Sequence, residues 1–356
     1  MNKLLFLANK LQKNGSLSLS EYEYLIENRN EEISLYLRDF AVKKRKEIYS
    51  DKVFIRGLIE IGNYCKNDCY YCGIRKSNKN CKRYRLTKED ILLCCEKGYN
   101  SGFRTFVLQG GEEAFWSDEF LCSLIKEIKS LYSDCAVTLS LGERSYKSYQ
   151  KLYNAGADRY LLRHETADSE HYALLHPEAL KLESRITALK NLKETGFQVG
   201  CGFMVGSPFQ TAKCIAKDLK FIEELKPDMC GIGPFISHKD TPFCDCPNGD
   251  LELCLFLLSV IRLIHPPVLL PATTALGSID KNGREKGILS GANVIMPNLS
   301  PKTVRQKYML YNSKLSSGEE SAEGLEKLKK KINSIGYRIV TERGDIERKD
   351  IQNGNL

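Results

Sequence analysis

Three cysteines stand together at Cys65, Cys69 and Cys72, spaced C-x3-C-x2-C directly after an apolar, β-rich run. Three soft ligands this close on one loop need a metal ion or a cluster to share. Closed zinc sites take four ligands, and no histidine or fourth cysteine follows at finger-like spacing, Cys81 being the nearest candidate. A 4Fe-4S cluster normally takes four thiolates, so three leave one iron open to a substrate or cofactor. That suits catalysis better than simple electron transfer. The non-enzymatic alternative is a zinc-stabilised or iron-sulfur binding module.

The elements that must position these thiols follow a regular plan. Short β-rich runs at 54–61, 105–109, 136–141, 159–163, 198–205, 229–235, 268–271 and 294–296 alternate with segments of helical periodicity, among them 88–102, 117–132, 180–195, 211–225 and 251–264. Eight strand-then-helix repeats favour a closed parallel barrel, α/β of the (β/α)8 TIM type, over an open sheet. Residues 1–50 read as an N-terminal helical extension, 51–300 as the barrel and 301–356 as a C-terminal helical segment. A Ser-, Gly- and Glu-rich linker falls at 313–324, and the last dozen residues read as frayed.

In such barrels chemistry sits where strands end and loops begin. One polar strand end is Gln109-Gly110-Gly111-Glu112, whose glycines permit close backbone approach. Arg159 and Arg163 alternate with Tyr160 and Leu162, so one pair faces the lumen and the other packs outward.

Bulk composition bounds the rest. A chain of 356 residues, 42% apolar, can bury one large barrel or two ordinary domains. The net charge of +8, from 53 basic and 45 acidic residues, is spread along the chain with two dense runs, 43–46 and 327–331, both read as solvated helix faces. That is too diffuse to argue for nucleic acid. No apolar stretch reaches the roughly 18 residues of a membrane span, and the N-terminus lacks the pattern of a signal peptide. Fourteen cysteines in a long chain without an export signal imply a reducing compartment, and a cytoplasmic protein is expected.

The cysteine loop after the first strand, with the aromatic Tyr71 before its last cysteine and Gly110-Gly111-Glu112 closing the second strand, resembles the radical S-adenosylmethionine (SAM) superfamily. Longer stretches at 56–61, 138–143, 159–166, 231–236, 271–275 and 291–298, followed by Arg305, Tyr308 and Tyr311, resemble the HydE maturases of FeFe-hydrogenase, and the likeness runs from about Phe54 to Tyr311. It implies one 4Fe-4S cluster on Cys65, Cys69 and Cys72, with SAM on the open iron and a 5′-deoxyadenosyl radical formed when one electron cleaves it. It places Tyr71, Gly110, Gly111, Glu112, Ser140, Glu143, Glu165 and Arg185 on the cofactor side. It places Arg159, Thr273, Thr274, Met296, Tyr308 and Tyr311 on the substrate side, and it turns the arginines inward, where they would need an anionic guest. The implied substrate is an iron dicarbonyl cyanide complex bearing cysteine, made by HydG. The implied partners are that small complex, an electron donor such as ferredoxin or flavodoxin, and the maturases HydG and HydF.

One departure stands out. Many HydE proteins carry three further cysteines for a second cluster, whereas this chain has none beyond Cys254, so no second C-terminal cluster is expected. Methylornithine synthase, which shares the cysteine loop and barrel, is the nearest rival. A biotin-synthase-like sulfur inserter would need several lumen cysteines, and Cys201 is the only other candidate.

Overall fold

A computed structural model describes residues 3–315 and 321–347; the linker at 313–324 is described only in part, and the final residues lie outside the described range. Eleven strands are assigned within it: β1 (Lys52–Ile55), β2 (Gly57–Gly62), β3 (Thr105–Gly110), β4 (Ala136–Ser140), β5 (Arg159–Leu161), β6 (Gln198–Cys201), β7 (Met204–Val205), β8 (Met229–Cys230), β9 (Gly233–Pro234), β10 (Val294–Ile295) and β11 (Arg338–Val340). Six of them form one parallel sheet in the order β2-β3-β4-β5-β6-β8.

The sheet closes through short pairings. Cys230 donates its backbone N–H to Leu269, Val294 donates to Leu270, and β10 lies parallel to β1 with Phe54 opposite Val294. Arg56 and Leu58 continue this edge by donating to Ile295 and Pro297. All eight runs expected from the sequence therefore form a ring. The run at 54–61 is interrupted only at Arg56, and 268–271 takes part through isolated bridges at Leu269 and Pro271.

Outside the ring lie α4 (Lys88–Asn100), α5 (Asp118–Leu131), α6 (Tyr146–Asn154), α7 (Ser169–Leu175), α8 (Leu182–Thr195), α9 (Ala212–Leu225), α10 (Leu251–Ile264) and the short α11 (Thr274–Ile279), α12 (Gly283–Ile288) and α13 (Lys302–Arg305). Thr87, Ser117, Ser145 and Thr211 each accept a backbone N–H in the first turn of α4, α5, α6 and α9, which fixes where each loop ends. Three earlier helices, α1 (Lys3–Asn14), α2 (Leu19–Glu27) and α3 (Glu31–Tyr49), precede the barrel. Helix α10 is buried at every position from Cys254 to Leu263, so it needs cover on its outer side too, and α3 packs there while α2 packs on α9.

The C-terminal segment departs from the all-helical expectation. After α14 (Leu325–Ser334), strand β11 pairs with β1, and the tail beyond it passes under the N-terminal end of the barrel. There the backbone carbonyl of Arg343 accepts from Thr105 Oγ1, and Gly344 lies against the Phe54 ring.

Candidate active site

The cysteine loop leaves the C-terminal end of β2 and is held by its own polar residues. Arg83 donates to the carbonyls of Asn63, Ile74, Arg75 and Asn78, and Arg75 clasps Asp68 at 2.6 Å. Gly73 is pinned from the far side, where its N–H bonds Leu310 at 2.8 Å and an added Cβ would lie 2.2 Å from the Met309 carbonyl. Segment 307–312 thus closes over the loop and carries Tyr308 with it.

None of the three thiols is in a disulfide. Burial raises all three, Cys69 to about 12 and Cys72 well above the ordinary thiol range, and the neighbouring thiols push both up again. Among the described residues no three His, Cys, Asp or Glu side chains converge closely enough to chelate one ion. Three thiolates in so dry a place need positive charge between them, and a multi-iron cluster fits that requirement.

Glu112 follows β3 beside this loop. Its Oε2 accepts from Asn67 Nδ2 at 3.1 Å and from the backbone N–H of Glu143 at 2.9 Å, while Lys66 reaches Oε1 at 2.8 Å. Gly111 allows the close approach, since a Cβ there would sit 2.1 Å from the Tyr64 carbonyl and 2.9 Å from Cys65 Cβ. Ser140 ends β4 opposite Gln109, and Glu143, three residues on, holds Arg185 Nε at 2.6 Å and Ser184 at 2.5 Å. A cavity of about 360 Å³ lined by Lys66, Glu112, Leu141 and Glu143 opens here.

Arg185 also donates to the carbonyl of Arg163 at 3.0 Å. Burial works against its charge, but Tyr172, Glu143 and Tyr71 outweigh it and hold the guanidinium more basic than usual. Tyr71 is ordered by His176. The ring's Nδ1 faces the Tyr172 carbonyl at 2.9 Å and must carry the hydrogen, so Nε2 accepts from the Tyr71 hydroxyl at 3.2 Å. Burial lowers His176 to about 4 and keeps this tautomer neutral.

Glu165 closes the fifth run with φ at +66°, a left-handed conformation costly for a glutamate. Two backbone bonds hold it there, its N–H to Gly202 at 3.0 Å and its carbonyl to Met204 at 3.3 Å. Its partner is Arg163 at 3.1 Å, an ion pair without hydrogen-bond alignment: Arg163 Nε and Nη2 and Glu165 Oε2 are all buried without a hydrogen-bond partner. Thr138 Oγ1 on β4 and Thr273 Oγ1 are orphaned in the same way. Met296 is partly buried against the lumen cluster of Phe54, Met229 and Leu269. Tyr308 lies buried with its hydroxyl 3.4 Å from Gln109 Nε2, and burial and then Glu60 push its phenol well above the ordinary range. Thr274 opens α11, and Tyr311 lies on the segment over the cysteine loop.

The structure separates one expected residue from the rest. Arg159 begins its run while Arg163 ends it, four residues or roughly 13 Å further along the strand. At the N-terminal end Arg159 is buried with Thr105, Gln198 and the carboxylate of Asp345, which lies 2.5 Å away. Its anion is supplied by the protein, so it is Arg163 that waits in the upper lumen with unused hydrogen-bonding capacity. The lumen role considered for Cys201 also fails. It sits with Val199 and Phe203 in the layer between sheet and helices, next to Cys230.

A closed (β/α)8 barrel bearing three free thiols on the loop after its first strand, with a glycine-flanked glutamate after its second, defines a radical SAM enzyme, and residues 59–222 match the radical SAM superfamily. Over 337 residues the chain is 41% identical to the FeFe-hydrogenase maturase subunit HydE of Thermotoga maritima, covering 93% of this chain and 96% of that protein. It belongs to the HydE family and is a hydrogenase maturase. The 3-methylornithine synthase of Methanosarcina acetivorans is 26% identical, covering 92% of this chain and 91% of that protein. Among solved structures, methylornithine synthase (PylB) has a TM-score of 0.82 at 23% identity, covering 94% of this chain and 97% of its own. The FeFe-hydrogenase maturase HydG scores 0.78 at 20% identity, covering 95% and 76%. The family uses a 4Fe-4S cluster, SAM and a reductant. Among the described residues no helix is long and apolar enough to cross a membrane.

Proposed function

We propose that this enzyme acts on a cysteine-bound iron dicarbonyl cyanide complex during assembly of the hydrogenase active-site cluster, with HydG as the source of that complex and HydF among its partners. The observation that carries this reading is the set of buried, unpartnered polar atoms of Arg163, Glu165 and Thr273 in the upper lumen. A guanidinium with two buried nitrogens that make no hydrogen bond, Arg163 Nε and Nη2, calls for an anionic guest, and carboxylate and cyanide groups are such guests.

Cys65, Cys69 and Cys72 would hold a single cluster, which when loaded with SAM and reduced supplies a 5′-deoxyadenosyl radical. The last cysteine is Cys254, so the chain offers no C-terminal triad for a second one. Tyr71, Gly110, Gly111, Glu112, Ser140, Glu143, Glu165 and Arg185 would shape the SAM site. Gly110 and Gly111 would let the backbone approach, Glu112 would accept from the SAM ammonium, and Arg185, steadied by Glu143, would offer its guanidinium to the SAM carboxylate. Arg163 with Thr273, Thr274 and Met296 would grip the substrate, while Tyr308 and Tyr311 close the mouth.

Anaerobic reconstitution with iron and sulfide, followed by dithionite and SAM, tests this directly. Four irons per chain, 5′-deoxyadenosine without substrate, and an adenosyl adduct only when the iron-cysteine complex is present are expected. Alanine at the three cysteines abolishes all SAM cleavage. Turnover of lysine instead of the complex would move the assignment to a methylornithine-synthase-like mutase.

A further inference from the structure

The segment from Lys66 to Arg85 carries seven basic residues and one acidic residue, a net charge of +6 in a chain whose total is +8. The positive charge of the molecule is therefore concentrated on the loop that bears the three thiols. Part of it is structural. Arg75 is spent on Asp68, Arg83 on four carbonyls, Arg85 on Glu113 and Lys66 on Glu112. Lys76, Lys79 and Lys82 are exposed and have no ion pair among the described residues. Lys239 stands beside Lys82, also exposed, and the neighbouring carboxylate of Asp240 is engaged by Asn80 at 2.7 Å and lies 4.0 Å from His238 Nδ1.

Lys82, Lys239 and Lys307 line a recess of about 380 Å³ together with Asn80, Cys81 and Asp240, Lys79 falls in sequence between two lining residues, Asn78 and Asn80, and the lining includes Gly73, the residue after Cys72. The recess thus reaches the outer side of the thiol loop. The inner side faces the lumen, which SAM and substrate must fill during turnover, so an electron has to arrive from outside.

We propose that this basic face, Lys76, Lys79, Lys82 and Lys239 around the recess at Gly73, is the docking site for an acidic one-electron carrier protein. The proposal rests on the radical reading above. In the step it serves, one electron leaves the reduced carrier and reduces the iron-sulfur centre, the carrier departs oxidised by one electron, and no atom moves. Complementary charge would steer encounter and orient the carrier, an effect that weakens with salt.

The test uses the reconstituted enzyme, an acidic flavodoxin and its NADPH-dependent reductase. Flavodoxin binding is measured by titration calorimetry across a salt series, for the native chain, for the triple variant Lys76→Glu/Lys79→Glu/Lys82→Glu, and for a control with the same charge change on α3 and α14, Lys43→Glu/Lys327→Glu/Lys330→Glu. The loop variant should bind about tenfold or more weakly at low salt and lose most of the salt dependence, while the control stays close to native. Flavodoxin-driven formation of 5′-deoxyadenosine should fall in parallel, with dithionite-driven formation preserved. Equal weakening in both triple variants, native binding by the loop variant, or no flavodoxin binding by the native chain would each overturn the docking site. Loss of dithionite-driven cleavage in the native chain would instead overturn the radical reading.

Discussion

At the scale of single residues, the upper lumen is defined by what its polar groups lack. Arg163 and Glu165 share one ion pair and leave three atoms unsatisfied, an arrangement that costs stability unless a ligand completes it. Replacing Arg163 with Met should raise the KM for the iron complex about tenfold or more, while abortive SAM cleavage, which needs no guest, continues; an unaltered KM would show that the guest binds elsewhere. Glu165→Gln keeps the left-handed backbone and loses the charge, so SAM binding measured by equilibrium dialysis should weaken by about tenfold with little shift in melting temperature. The thiol triad and Glu112 were legible in the sequence because their meaning lies in local spacing. The choice between Arg159 and Arg163 was not, because alternation puts both on one face and says nothing of depth. Depth came from Asp345, nearly two hundred positions away. The density of charge at 66–85 is equally legible, but it emerges only when charge is counted by element, because the whole-chain balance of +8 dilutes it.

At the scale of elements, eight strand-like runs could be read from their β-rich composition, but two of them, 268–271 and 294–296, become barrel members only through a few backbone bonds that no local pattern reports. The segment after the barrel is likewise set by tertiary partners. Glu60 on β2 is fully buried, bonded by Asn298 at 2.9 Å and paired with Lys314, itself nearly buried, whose ammonium also reaches the Tyr308 carbonyl at 3.1 Å. This pair fastens the segment that closes over the thiol loop. Lys314→Met should cost roughly 3 to 5 kcal/mol, because it strands a buried carboxylate. Adding Glu60→Gln should recover much of that in urea unfolding. Equal losses in the single and double variants would mean the lysine acts through packing and not through charge.

At the scale of the whole molecule, the barrel is open for chemistry at one end and sealed at the other by its own tail. The seal is electrostatic: Asp345 meets Arg159 at 2.5 Å, Gln198 at 2.9 Å and Arg343 at 2.8 Å, and Arg343 in turn holds Asp158 at 2.7 Å. Burial alone would raise the Asp345 carboxyl, but Arg159, Arg343 and the Gln198 bond outweigh it and hold it at about 2, below its ordinary 3.8. A carboxylate depressed in the folded state stabilises the fold above its unfolded pKa, and that contribution fades as pH falls from about 4 towards 2. Asp345→Asn should therefore lower the melting temperature by about 2 °C or more at pH 7, because Arg159 and the neighbouring buried Arg56 lose their anion. The gap between variant and native protein, followed by urea unfolding of the apoprotein, should stay constant from pH 7 to about 5 and shrink as the native carboxyl protonates. A gap that instead widened in acid would place the pH dependence in another group and leave the tail a steric cover, held by Gly344 against Phe54 and not by charge.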